Sequence, residues 1–198
     1  TKGVYIVMHN DENDNTVACH IGTRVRKNHT SKRGAFQTVG DDPAFIIAEE
    51  KIQKNISKEF YKTQEFQPKI NLDTKIALVK YYPGYDPKLV EQIIDNGYKG
   101  IIFEGTGLGH IGRVMYDSVK KANEKGVFLG MTSQCIDGRV RMTVYESGRD
   151  LLNLGIIPLE NMLPEVALVK AMWALGNTQN IEEVKEIMLD NIASEMSI

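Results

Sequence analysis

From residue 74 onward the sequence alternates short apolar runs with helix-starting signals, and that alternation leaves few architectures open. Residues 75–81 form an apolar run of strand length. Asp86-Pro87 then opens a helix, with aspartate as N-cap and proline at the first helical position. Asn96-Gly97 closes it, where glycine takes positive φ without strain. Residues 100–103 (Gly-Ile-Ile-Phe) read as a short buried strand. A glycine-rich turn follows, then a helix over about 111–124 with Val114, Val119 and Ala122 as core positions. Lys125-Gly126 stops that helix, and residues 127–131 are the next strand. Strand–helix–strand–helix–strand implies a parallel sheet with right-handed crossovers. Pro164 opens a strongly apolar packing helix over 165–175, closed by Gly176. Asn180 with Glu183 makes a capping-box-like start to a last helix over about 181–195.

Residues 1–46 read as strands and loops. Residues 3–8 are a short apolar run suited to a buried strand, and residues 17–21 are a second strand candidate. The polar turn His9-Asn10-Asp11-Glu12-Asn13-Asp14-Asn15 separates them. Residues 47–73 are polar and mixed, a linker or irregular hairpin with a domain boundary near 70–74. The expected organisation is therefore α/β: residues 1–46 as the end of one α/β domain, 47–73 as a linker, and 74–198 as a complete smaller parallel-sheet domain. Two or three strands alone do not readily hold a stable sheet. Together with the absence of an initiator methionine, this points to a chain that starts after processing, after cleavage, or partway through a longer product.

With 42% hydrophobic and 25% charged residues, the composition is that of a globular protein. No run approaches the length of a membrane span. A net charge of −2 gives no overall case for nucleic-acid binding. The local cluster Arg24, Arg26, Lys27, His29, Lys32 and Arg33 reads on charge alone as a solvated loop. Cys19 and Cys135 lack metal-ligand spacing and suit reduced thiols in a cytoplasm. The four histidines form no metal motif.

Three segments are candidates for chemistry. Gly105-Thr106-Gly107-Leu108-Gly109-His110 follows a strand, where open parallel sheets bind ligands. The third glycine of the dinucleotide fingerprint is replaced by His110, and the P-loop Gly-Lys-Ser/Thr is absent. What remains is either a tight packing turn or a small-ligand or anion site built on exposed backbone N–H groups. Met131-Thr132-Ser133-Gln134-Cys135 falls on the same carboxyl edge. It either lines a pocket or satisfies its own backbone. Lys27 lies among other cations, which penalises its charged form and suits it to act as a base.

These segments resemble the asparaginase/glutaminase family of amidohydrolases. Gly22-Thr23-Arg24-Val25-Arg26-Lys27-Asn28-His29-Thr30-Ser31 with Ala35-Phe36 is similar to the family's catalytic-lysine segment. Tyr82-Pro83-Gly84, the 105–110 turn, Thr132-Ser133-Gln134-Cys135, Tyr145-Glu146-Ser147-Gly148-Arg149, Gly155-Ile156-Ile157-Pro158 and Pro164-Glu165-Val166-Ala167 match successive landmarks of its C-terminal domain. Within the family, the run Arg24 to Arg33 and Glu104–His110 combined with Ser133-Gln134-Cys135 resemble most the branch formed by the D subunits of archaeal glutamyl-tRNA(Gln) amidotransferases. Cytoplasmic type I L-asparaginase is the alternative within the family. A non-catalytic small-ligand binding or assembly module is the alternative outside it.

The resemblance implies that a threonine hydroxyl attacks the side-chain amide of glutamine or asparagine, releasing ammonia. A second threonine, an aspartate and a lysine form the proton relay, and Lys27 matches that lysine. It implies His110, Ser133, Gln134 and Tyr145 near the substrate, at a homodimer interface. It also implies a partner, the amidotransferase E subunit, that uses ATP and Mg to amidate Glu-tRNA(Gln), with no cofactor or metal in this chain. The family's Thr-Gly-Gly-Thr and Gly-Thr-Asp-Thr strings are absent from the 198 residues. The chain is therefore expected to be inactive alone.

Overall fold

The computed structural model of the chain describes residues 3–49, 51–55 and 68–197. They fall into two compact units. One holds the described residues up to 55 together with 192–197, and the other holds 68–191.

The first unit is antiparallel. Strands β1 (Tyr5–His9), β2 (Thr16–Ile21), β5 (Phe45–Ala48) and β6 (Lys51–Lys54) form a sheet in the order β1-β2-β5-β6. Strands β3 (Val25–Lys27) and β4 (Phe36–Thr38) form a separate two-stranded ribbon. The polar turn after β1 is built as its asparagines and aspartates suggest, with Asp11 Oδ1 accepting from the Asn13 amide at 2.7 Å. The small core joins Ile21 and Ala44 to Tyr5 and Phe45, whose rings meet edge to face at 5.9 Å. The expectation of a buried first strand is not met. Among the described residues β1 pairs only with β2, which makes it an edge strand there, and Val7 at its centre is 53% exposed. Within the polar stretch from 47 onward, the hairpin is real: β5 and β6 pair from Phe45↔Lys54 to Ala48↔Lys51. Residues 56–67 of that stretch lie outside the described residues.

The second unit is α/β. Strands β7 (Ile76–Lys80), β8 (Gly100–Gly105), β9 (Phe128–Ser133) and β10 (Ile157–Pro158) form one parallel sheet in the order β10-β9-β8-β7. Helices α1 (Pro87–Asp95), α2 (Tyr116–Glu124), α3 (Glu146–Asn153), α4 (Pro164–Asn177) and α5 (Ile181–Leu189) complete it. A parallel sheet needs both faces covered, which explains why its strands are apolar runs rather than alternating ones. Ile101 and Phe103 on β8 share a core with Val90 and Ile94 of α1, Val119 of α2 and Leu151 of α3. α4 packs on β7, β8 and β9. Gly100 leaves room there for Ile76 and Leu175. Each large side chain buried this fully contributes about 1.5–3 kcal/mol of transfer free energy.

The helix signals work locally. Asp86 accepts from the Lys88 amide at 3.0 Å, and Gly97 takes φ +76° past the end of α1. Four expectations need correction. Residues 113–115 form a 3₁₀ turn ahead of α2. Val114 therefore points out, 62% exposed, and Met115 is buried in its place. Gly176 does not stop α4, which continues to Asn177. The glycine is needed because a Cβ there would lie 2.6 Å from the Asn71 carbonyl. α5 ends at Leu189, not near 195, where Lys170 Nζ donates to the carbonyls of Met188 (3.3 Å) and Asp190 (2.5 Å). Asn180 does cap α5, accepting from the Glu182 amide at 3.0 Å, but Glu183 accepts from Thr178 Oγ1 instead of reaching back to Asn180. Among the described residues no helix is long and apolar enough to cross a membrane.

Candidate functional site

The site residues expected from the sequence divide between the two units, and each set is described within its own. In the second unit they gather where β8 and β9 end. The 105–110 turn folds back on itself. Thr106 N–H donates to the His110 carbonyl at 2.9 Å, and the amides of His110 and Gly109 donate to the Thr106 carbonyl at 3.0 and 3.1 Å. Those three N–H groups are used internally, which leaves the amides of Gly107 and Leu108 as the ones a ligand on this turn would use. No α-helix starts at 111 to add its positive end. The glycines serve packing: a Cβ at Gly105 would meet Met131 Sδ at 2.7 Å, and Gly109 combines φ +96° with contacts to Met131 and Val140.

Ser133 and Gln134 brace this turn. Ser133 Oγ donates to the Gly107 carbonyl at 2.6 Å and accepts from the Cys135 amide at 3.1 Å. Gln134 Nε2 donates to the carbonyls of Tyr81 (2.5 Å) and Glu104 (2.8 Å), joining the ends of β7 and β8. Both amide hydrogens are thus engaged with backbone, and only the carbonyl oxygen of that side chain is left for other partners.

His110 and Tyr145 come together, with ring centroids 5.6 Å apart. Ser147 Oγ lies 3.2 Å from His110 Nδ1. His110 Nε2 is buried with no hydrogen-bond partner among the described residues. Tyr145 is exposed and is the residue before the first turn of α3. Nearby, Tyr116 Oη donates to the Ser147 carbonyl at 3.2 Å. Burial, with the Asp150 carboxylate beside it, pushes the Tyr116 phenol up. Ser147 lies within a landmark string of the sequence, but its partnership with His110, 37 residues away, has no local sequence signal.

In the first unit, Lys27 ends β3 and is exposed. Its Nζ lies 5.9 Å from the Phe36 ring centroid on the paired strand. The basic cluster around it is not a uniformly solvated loop. Arg24 is buried, 2% exposed, with Nε donating to the Ser194 carbonyl and Nη2 to Ser197 Oγ, both at 2.8 Å. Lys32 pairs with Glu12 at 3.0 Å and Arg33 with Asp14. The Arg33 guanidinium holds the Asp14 carboxyl below its ordinary value. His29 Nδ1 accepts from the amides of Ser31 and Lys32. Cys19 is buried and Cys135 exposed, both as free thiols.

Residues 75–188 match the family model described as the glutaminase/asparaginase C-terminal domain. The chain belongs to the glutaminase/asparaginase family. Among curated members of this family, it is 45% identical over 196 residues to the D subunit of the glutamyl-tRNA(Gln) amidotransferase of Pyrococcus abyssi, covering 98% of this chain and 45% of that one. The corresponding protein of Sulfolobus acidocaldarius is 46% identical over 198 residues, covering 98% and 44%. The chain thus spans less than half the length of these relatives. Among solved structures of the family, the thermostable L-asparaginase from Thermococcus kodakarensis superimposes with a TM-score of 0.86 at 30% identity, covering 98% of this chain and 57% of that one. L-asparaginase I from Vibrio cholerae gives 0.78 at 25%, covering 93% and 56%. The asparaginase-like α/β fold expected from the sequence is therefore the fold of this chain.

Proposed function

We propose that this chain is the C-terminal part of an amidohydrolase subunit that releases ammonia from glutamine or asparagine for tRNA-dependent amidation of Glu-tRNA(Gln). The observation that carries this reading is the 45–46% identity to amidotransferase D subunits across 98% of the chain. In this reading a threonine on a Thr-Gly-Gly-Thr segment outside the 198 residues attacks the amide carbon. Its hydroxyl proton passes through the relay to the departing nitrogen, ammonia leaves, and water hydrolyses the ester to restore the threonine. Lys27 belongs to the relay. His110, Ser133, Gln134 and Tyr145 lie near substrate, and Ser133 and Gln134 also brace the 105–110 turn and the ends of β7 and β8. The 198-residue chain is inactive by itself. The complete subunit is a cytoplasmic homodimer, and it passes ammonia to the amidotransferase E subunit, a partner that uses ATP and Mg.

The solved structures it resembles are L-asparaginases, which favours type I L-asparaginase as the second reading. Relative kcat/KM for glutamine and asparagine in the complete subunit separates the two. In that protein, Lys27→Met abolishes amide hydrolysis with folding nearly unchanged, because Lys27 is exposed. Activity within tenfold of wild type would remove Lys27 from the relay.

A further inference from the structure

His110 is held more rigidly than a surface histidine needs to be. Its backbone is tied in both directions to Thr106, with N–H to carbonyl at 3.0 Å and carbonyl to N–H at 2.9 Å. Tyr145 covers the ring on one side, and Nδ1 meets Ser147 Oγ at 3.2 Å. Ser147 is equally fixed. Tyr116 Oη holds its carbonyl. The next residue, Gly148, is packed so tightly on the Met142 carbonyl that a Cβ would collide with it. Both ends of the Ser147–His110 contact are thus placed by other interactions, and the contact costs little further ordering.

The direction of that hydrogen bond decides what Nε2 can do. A neutral imidazole carries one N–H, so the partner of Nδ1 sets the state of Nε2. Ser147 stands in the first turn of α3, so its 3.2 Å contact places Nδ1 close to the electropositive end of that helix. A lone pair is favoured on a nitrogen facing that end, and a proton is disfavoured there. We propose that Ser147 is a positioning residue: it donates its hydroxyl proton to Nδ1, places the ring proton on Nε2, and presents the Nε2–H of His110, which is buried and has no partner among the described residues, to an acceptor oxygen of the ligand. The ligand class is one with a carbonyl or carboxylate oxygen, as in an amino-acid side-chain amide. The assignment rests on the reading that His110 faces substrate.

Long-range ¹H–¹⁵N correlation of the histidine rings in the ¹⁵N-labelled 198-residue chain tests it, with His110 assigned from the signals lost in His110→Gln. The expected result is a predominant Nε2–H tautomer in wild type. Ser147→Ala shifts the tautomer ratio about fivefold toward Nδ1–H, the effect of one ordinary hydrogen bond. Ser147→Thr, which keeps the hydroxyl, restores the wild-type pattern. An Nδ1–H tautomer in wild type overturns the proposal whether or not the alanine variant folds, and so does an unchanged ratio in a folded Ser147→Ala. These readouts concern the ring alone. The reading that His110 faces substrate fails separately, if His110→Gln leaves KM unchanged in the complete subunit.

Discussion

Phe103 and Val7 both sit mid-strand in short apolar runs, yet Phe103 is 0% exposed and Val7 53% exposed. Phe103 lies on β8, an inner strand of a parallel sheet, in a core shared with α1, α2 and α3. Val7 lies on β1, which has one neighbour among the described residues, at the edge of an antiparallel sheet. The two units hold together by different means. The second buries large side chains between its sheet and its helices. The first has a small core and relies on directional polar contacts such as those of Arg24. An apolar run therefore means different things in the two units, and each difference has a measurable size.

Core truncation should show the largest contrast. Phe103→Ala is expected to destabilise the second unit by about 3–5 kcal/mol, while Val7→Ala should cost less than about 0.5 kcal/mol. Urea midpoints of the two variants check this, and comparable losses would erase the distinction. The glycines sharpen it: Gly148→Ala collides with the Met142 carbonyl and should cost about 3 kcal/mol. Gly22→Ala would meet the Val4 carbonyl at 3.3 Å, close enough for a small adjustment to relieve it. Next in size is Arg24. Its replacement by alanine leaves the Ser194 carbonyl without that donor and should cost about 1.5–3 kcal/mol. Hydrogen exchange should then increase at residues 193–197 before it does in α1–α4.

The smallest effect is a difference in pH response. Burial holds His20 below the ordinary imidazole value, with Thr38 Oγ1 2.9 Å from Nδ1 and no partner at Nε2 among the described residues. A histidine with a depressed value contributes stability above its unfolded pKa, near 6.5, and loses it as pH falls through the folded value. In the second unit, the Lys99 ammonium at 2.7 Å and the Lys75 amide depress the Asp73 carboxyl. Its contribution, at most about 1 kcal/mol, is present above its unfolded pKa near 3.9 and fades as pH falls through the lower folded value. Amide exchange followed from pH 7 to pH 3 should loosen the first unit starting below about 6.5, with the Asp73-dependent loss in the second confined below about 4. His20→Gln should remove the earlier phase.

The sequence made the second unit's elements readable because its signals are local. Asp86, Gly97 and Asn180 act within a turn of where they stand, and a parallel sheet declares itself through continuous apolar strands. The two-residue β10 is too short to carry any periodicity. Val114 turned outward because a 3₁₀ turn rotates it away from the face that helical periodicity assigns. The first unit was harder to read, since edge or centre depends on which strands pair, and β1 carries no mark of that. Arg24 read as solvated because its partners Ser194 and Ser197 lie 170 and 173 residues away. The same distance effect hid the structural engagement of Gln134 and the link between Ser147 and His110, while the residue types themselves marked the neighbourhood.

The most direct measurement is ammonia release from glutamine by three proteins: the 198-residue chain, the chain joined to the nucleophile-bearing N-terminal segment of an amidotransferase relative, and that fusion carrying Lys27→Met. The account predicts no release from the chain alone, clear release from the fusion, and its loss in the Lys27→Met form. Turnover by the chain alone, or a fusion equally active with Lys27→Met, would contradict it.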